Sequence, residues 1–277
     1  MNFPDSNSWT IQSPIEQSIR EKIDSIGIPL KKWNVSINRG ILTGFNEAFI
    51  INTEIKNQLI ADDPKSAEII RPVLRGRDIK KYSVTFQDLW LIVTHNGNKK
   101  EGIKPVDVSE YPAIKKHLDQ YYEKLSKRAD KGDTPYNLRN CVYMDDFSKQ
   151  KIVWGNLCLE SQFAMASDDY FINAPSPMLV PGDYYLLAIM NSIVADWYIR
   201  QLGVTRNGGY FEYKPMFVEQ LPIPQIDESL KDIYRSKAME AEQNNTPEIL
   251  DEINSMVFKL YNLSDEEIKY LKNQKCN

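Results

Sequence analysis

The chain has 277 residues, 42% hydrophobic, 26% charged and 11% aromatic, enough apolar material to offset the ordering entropy of one large domain or two ordinary ones. A peptide hormone, a disulfide miniprotein and a wholly disordered tail are excluded. The net charge of -4 is unevenly placed: residues 225–277 hold 11 acidic and 7 basic side chains, leaving 27 of each sign in residues 1–224, so the body can carry local basic patches.

Three cysteines (Cys141, Cys158, Cys276) and two histidines (His95, His117) occur, none at a metal-ligand spacing, and neither a zinc site nor a disulfide framework is expected. The first thirty residues lack a basic stretch followed by an apolar one, and the most apolar segment, 184–202, is interrupted by Asn191, Ser192, Asp196 and Arg200. A cytoplasmic protein without a membrane span is expected.

In chain order, residues 1–13 read as an irregular lead-in. Ser13-Pro14 then opens a helix with Ile15, Ile19, Ile23 and Ile26 on one face, stopped by Gly27 and Pro29. Alternation at Trp33, Val35 and Ile37, glycines at 40 and 44, and the run Ala48-Phe49-Ile50-Ile51 predict two strands joined by a turn. Thr53 caps a short helix to Ala61, and Asp63-Pro64 starts another that Pro72 ends. The stretch 71–82 carries five basic residues against one acid and reads as a basic loop feeding a strand at 89–93.

Residues 111–131 predict one amphipathic helix, with Ile114, Leu118, Tyr121 and Leu125 inward and Lys115, Lys116, Lys124, Lys127, Arg128 and Lys131 outward. Strand signals recur at Val142-Tyr143, Ile152-Val153-Trp154, Phe163-Ala164-Met165 and Met178-Leu179-Val180. Asp183 caps the clearest helix, with Leu186, Ile189, Met190, Ile193, Val194 and Trp197 at helical spacing and Gly203 at its end. A polar, glycine-bearing loop at 205–214 leads to Leu221-Pro222-Ile223-Pro224, and helices follow at 226–243, 246–261 and after Ser264. The expected fold is α+β: a curved mixed β-sheet with a buried core helix, residues 1–224 forming the main domain and 225–277 a helical segment packed on it.

No phosphate loop, dinucleotide fingerprint, nucleophile elbow or zinc-hydrolase helix occurs. Asp63 followed by Asp78-Ile79-Lys80 matches the acid, acid-x-lysine pattern with which nucleases hold magnesium and activate water. A helix cap beside Pro64 and a basic loop that neutralises Asp78 explain the same residues. Gly76, between Arg75 and Arg77, lets backbone approach a ligand, and the planar arginine fork suits phosphate or the O6/N7 edge of guanine. The loop at 205–214 is held at both ends, as recognition loops are. His95, in a turn-like His-Asn-Gly-Asn, and His117, on a helix surface, do not read as catalytic.

Seven segments occur in a characteristic order: 37–51; Ser66-Ala67-Glu68-Ile69-Ile70 with Arg75-Gly76-Arg77-Asp78-Ile79; Trp90-Leu91-Ile92; Tyr111-Pro112-Ala113-Ile114 with Leu118; Lys151-Ile152-Val153-Trp154; 186–192; and Leu221-Pro222-Ile223-Pro224. Together they resemble the TaqI-like C-terminal specificity (target-recognition) domain of type II, type IIG-like, restriction-modification enzymes, over roughly residues 9–270. Gly155-Asn156-Leu157-Cys158 departs from that pattern.

The resemblance implies a domain that reads double-stranded DNA. The chemistry then belongs to a methyltransferase or nuclease part, in cis or in trans, that uses S-adenosylmethionine and magnesium to methylate adenine or cleave DNA. This chain has neither an Asn-Pro-Pro-Tyr motif nor a cofactor-binding glycine motif, so no cofactor and no catalysis are expected of it. The residues expected on DNA are Arg75, Arg77, Lys80, Arg206, Asn207, Tyr210 and Lys214, supported by Asn96, Asn98, Lys99, Arg128 and Arg139. Two other readings stand beside this one: a magnesium nuclease using Asp63, Asp78 and Lys80, and a protein-interaction module that binds a partner through the acidic C-terminal helices.

Overall fold

The structure is a computed structural model that describes residues 13–274; the lead-in before Ser13 and Cys276 lie outside the described residues. Helix α1 (Pro14–Ile26) is fixed by its own start, a capping box in which Ser13 and Glu16 satisfy each other's backbone N–H groups. Strand β1 (Gly27–Pro29) follows, then β2 (Ser36–Arg39). The expected hairpin partner of β2 forms differently. Asn46–Phe49 is a helical turn, α2, that buries Ala48 and Phe49, and only Ile50–Asn52, β3, is extended. The cause is local: Thr43 Oγ1 accepts the Phe45 N–H and donates to Asn46, turning the chain before the apolar run begins.

Helix α3 (Thr53–Asp62) is capped one residue earlier than expected, by Asn52, whose Oδ1 accepts the Ile55 N–H at 2.9 Å. Asp63 caps only a 3₁₀ turn, Pro64–Ile69. Pro72 ends no helix; it lies inside β4 (Ile70–Leu74), where it is tolerated because the neighbouring strand on that side reaches only Val73 and Leu74. The basic stretch is therefore not one loop, since β4 is followed by a 3₁₀ turn (Gly76–Asp78), β5 (Ile79–Lys80), β6 (Ser83–Val84) and β7 (Leu89–Ile92).

The predicted helix 111–131 divides into α4 (Pro112–Asp119) and α5 (Tyr122–Lys127), and Val142-Tyr143 leads into a 3₁₀ turn instead of a strand. Strands β8 (Lys151–Trp154), β9 (Leu157–Cys158), β10 (Phe163–Ala166), β11 (Phe171–Ile172) and β12 (Pro177–Val180) come next. The buried helix arrives as two, α6 (Tyr184–Met190) and α7 (Ile193–Leu202). Asn191 makes the break. Its amide donates to the Phe163 carbonyl at 2.8 Å and its oxygen accepts the Phe163 N–H at 3.0 Å, after which Ser192 caps α7. The chain closes with β13 (Phe211–Glu212), α8 (Pro215–Val218), β14 (Pro222–Pro224), α9 (Glu228–Gln243), α10 (Pro247–Leu260) and α11 (Asp265–Gln274).

The fold is α+β, with open sheets and a C-terminal helical segment. One four-stranded sheet, β10-β8-β12-β2, is antiparallel; the other, β11-β4-β7-β3, is mixed, with β11 parallel to β4. The first sheet is a wall between two apolar cores. Ile152, Trp154, Phe163 and Leu179 face α1, α6, α7 and the C-terminal helices, whereas Val153, Ala164 and Met178 face the second sheet and α4. Strands β8, β10 and β12 are buried along their whole length for that reason, whereas β2 at the edge keeps Ser36 and Arg39 exposed. Among the described residues no helix is long and apolar enough to cross a membrane.

The Phe163 carbonyl also accepts the Tyr82 N–H at 2.9 Å, whereas its buried N–H depends on Asn191, so Asn191→Ala should destabilise the fold by about 1–3 kcal/mol for the one group left unpaired. Urea titration should show a lower midpoint with an unchanged slope; an unchanged midpoint would show that the bonds add nothing net.

Candidate nucleic-acid interface

Three segments leave the sheets and meet: 76–80 after β4, 155–162 between β8 and β10, and 205–214 around β13. They are brought together by bare backbone. A Cβ on Gly76 would lie 2.9 Å from Ser176 Oγ and 3.2 Å from Gly155 Cα, so this glycine, which also lines the cleft, serves close contact between protein segments. Trp154 Nε1 donates to the Tyr213 carbonyl at 2.7 Å, the Tyr213 N–H donates to Asn156 O at 3.0 Å, and β9 pairs with β13. The resulting cleft, about 330 Å³, is lined by Arg77, Lys80, Asn156, Gln162, Ser176 and Tyr210 among others. Cys158 underlies it as an inert thiol, pushed up to about 11 by burial.

Arg75 is not part of this surface. Its Nε and Nη2 reach the two carboxylate oxygens of buried Asp78, each at 2.9 Å, and its own N–H donates to Asp78 Oδ2. The pair is an internal clamp that shapes the 3₁₀ turn and leaves Arg77 and Lys80 exposed.

On the third segment, Glu212 is buried and carries two cations: Arg206 Nε on Oε1 at 2.6 Å and Lys214 Nζ on Oε2 at 2.9 Å. Lys214 and Arg206 hold the Glu212 carboxyl below the usual carboxylate range. Between these anchors Asn207 and Tyr210 are exposed on a tip whose glycines, Gly208 and Gly209, have φ of +79° and +76°. A Cβ on Gly209 would meet no atom, so the left-handed backbone is what requires glycine there.

A second basic hollow, about 210 Å³, is lined by Arg39, Gly40, Arg139, Asn140 and Tyr143. It adjoins the cleft through Ser176, whose carbonyl accepts the Gly40 N–H at 2.9 Å. Arg139 is exposed and paired with Asp130 at 3.0 Å.

The remaining expected residues are elsewhere. Arg128 is buried, not outward: its guanidinium donates to the carbonyls of Thr43, Pro135 and Asn137 and stacks on Phe49, and burial pulls it down to about 10. Asn96 is buried too, exchanging bonds with the side chain and backbone of Asp133. Asn98 accepts the Lys100 N–H within its own turn, and Lys99 is exposed on that turn. His117 is not on a surface; it is buried against the Ala48 carbonyl at 3.0 Å, and burial lowers its affinity for a proton.

The acid, acid-x-lysine set does not assemble. Asp63 is occupied as a cap on the Lys65 N–H, Asp78 is clamped by Arg75, and among the described residues no group of three or more His, Cys, Asp or Glu converges on a point. Magnesium finds no fit at these residues. Reading the sequence did not single out Arg39, at the end of the short strand β2, nor Asn156 and Gln162, which adjoin strands whose apolar residues dominated the pattern.

The family model of the TaqI-like C-terminal specificity domain matches residues 71–223, which contain all three cleft segments. The chain belongs to that family. It is 22% identical over 242 residues to the type II methyltransferase M.MjaIV of Methanocaldococcus jannaschii, covering 82% of this chain and 78% of that protein. Its fold is similar to part of the type IIL restriction-modification enzyme MmeI in complex with DNA (TM-score 0.67, 13% identity, 88% of this chain and 36% of that one). It is also similar to part of the type IIG restriction endonuclease BpuSI (TM-score 0.54, 15% identity, 90% and 33%). The specificity-domain chain thus spans about a third of the length of each solved enzyme.

The two arginines that flank Gly76 should part company on mutation. Arg75→Ala strips the buried Asp78 carboxylate of its guanidinium, leaving it the backbone N–H of residue 75, and should cost about 1–3 kcal/mol in thermal or urea unfolding, while Arg77→Ala should stay within about 0.5 kcal/mol of the parent. Equal effects would contradict the clamp.

Proposed function

We propose that this specificity domain selects a short double-stranded DNA site for a restriction-modification enzyme and has no catalytic step of its own. The observation that carries the reading is the cleft itself: exposed Arg77 and Lys80, the amides of Asn156 and Gln162 and the ring of Tyr210 share one concavity inside the family-matched segment. Arg206 and Lys214 stand on the adjoining β13 segment, fixed by Glu212.

Cations on phosphates set register, and side chains on base edges read sequence. Arg77, Lys80, Arg39, Arg139 and Lys214 are assigned to phosphates. Asn207, Asn156 and Gln162 are assigned to bases, because a carboxamide pairs bidentately with adenine N6 and N7. Arg206, with Nε and Nη2 turned to Glu212, is assigned to positioning the tip and to backbone contact. Buried Asn96 and Arg128 hold the fold and are not assigned to DNA. The reading leaves S-adenosylmethionine and magnesium to a methyltransferase or nuclease part, in cis or in trans, and places the enzyme in the cytoplasm.

Binding of the chain to duplex DNA should fall with salt, the log-log slope being about -0.9 per phosphate contacted. Arg77→Ala combined with Lys80→Ala should flatten that slope by about 1–2. Fluorescence anisotropy from 50 mM to 200 mM salt measures both, and binding that is flat over that range contradicts the assignment.

Base reading is tested separately by sequencing the duplexes that the chain enriches from a random pool. Asn207→Ala should change the enriched sequence at one position. Arg206→Ala should weaken capture of all sequences alike; a changed sequence with Arg206→Ala would make that arginine a reader.

A further inference from the structure

Strand β9 puts apolar side chains where the other walls of the cleft are polar. Leu157, in β9, and Leu159, in the bend that follows it, flank buried Cys158 and are themselves exposed, at 50% and 51%. Single exposed leucines are ordinary on a protein surface. Here Leu157, on a two-stranded ribbon, and Leu159, just past the ribbon's end, line one cleft with Tyr210, itself 43% exposed.

The surroundings identify what would cover them. Pairing with β13 sets Leu157 opposite Glu212, so the leucine stands beside Arg206 and Lys214, and Arg77 and Lys80 line the same cleft. Glu212 is neutralised by its two cations, and the carboxylate of Glu160 is paired with Lys81. An apolar ridge inside a positive frame complements a polyanion with an apolar spot on it, which a protein partner of ordinary mixed charge does not offer. A two-stranded ribbon fits the major groove, about 12 Å wide, and the apolar group that base edges display there is the C5-methyl of thymine.

We propose that Leu157 and Leu159 are specificity-determining residues that read thymine methyl groups in the major groove. The inference rests on the DNA reading above and deepens it: the amides flanking the ridge read hydrogen-bonding edges, and the ridge reads the edge that cannot hydrogen-bond.

The test uses the full chain. A duplex enriched from a random pool is resynthesised with each thymine replaced in turn by deoxyuridine, which removes only the methyl. At one or two positions the replacement should weaken binding about fourfold, the size expected for one buried methyl-sized group. Leu157→Ala or Leu159→Ala should abolish that sensitivity at its position while leaving the salt dependence and the far-ultraviolet circular dichroism unchanged.

An enriched site that tolerates deoxyuridine throughout overturns the proposal and leaves the DNA reading standing. So does an enriched site without thymine, or a pair of variants that discriminate as the parent does, which is the outcome expected if the ridge docks a protein. Failure to enrich any duplex overturns the DNA reading, and this inference with it.

Discussion

Val153 packs into one hydrophobic core while its neighbours on β8, Ile152 and Trp154, pack into the other. The same division runs through β10 and β12, so a single sheet is covered on both faces and ties the two cores together. Each such buried side chain contributes about 1.5–3 kcal/mol. Two segments of the candidate interface hang from this arrangement, since β8 ends directly at Gly155 and Trp154 fastens the Tyr213 carbonyl, and the third, which follows β4 of the other sheet, rests on it where Gly76 meets Gly155 and Ser176. Deformation of the wall would move all of them at once.

The cleft is rigid for a second reason. Asp196 on α7 accepts the Ser161 N–H at 2.6 Å and the Tyr213 hydroxyl, and it pairs with Arg200 at 3.0 Å. One buried carboxylate thereby joins the 155–162 segment, the 205–214 segment and the helix behind them. Arg200 in turn lies over the Phe211 ring. Polar groups placed by such a network keep their spacing before any partner arrives, which lowers the ordering cost of recognition. Of the carboxylates at the site, Asp78, Asp196 and Glu212 are consumed internally and Glu160 is paired with Lys81, so the surface keeps the positive sign although the chain as a whole is acidic.

Strongly periodic elements were legible. The isoleucines of α1, the apolar run of α6 and α7, and the strands β7, β8, β10 and β12 announce themselves by spacing. Two kinds of feature were not. Breaks made by long-range hydrogen bonds, such as Asn191 clasping Phe163, depend on a residue far away in the chain and leave no periodic trace. Charge destinations were equally hidden, because sequence shows that Arg75, Arg77, Arg128 and Arg206 are arginines but not that one clamps Asp78, one caps carbonyls in a core and one leans on Glu212. Asn156 and Gln162 were obscured by the apolar strands around them. Grouping of the 76–80 and 205–214 segments in one cleft follows from β9 pairing with β13 and from the contact of Gly76 with Gly155 and Ser176, which no local pattern encodes.

The Glu212 anchor bears on how a module of this kind could change. The tip from Asn207 to Tyr210 is exposed, carries no core side chain, and is bounded by two cations that share one buried carboxylate. With Gly208 and Gly209 kept for their left-handed backbone, replacing Asn207 or Tyr210 disturbs neither apolar core, and losing Arg206 still leaves Glu212 paired with Lys214. Variation there is close to neutral for folding while it alters what the loop presents. A lineage could explore new targets by point changes at those positions without first acquiring compensating substitutions in the scaffold.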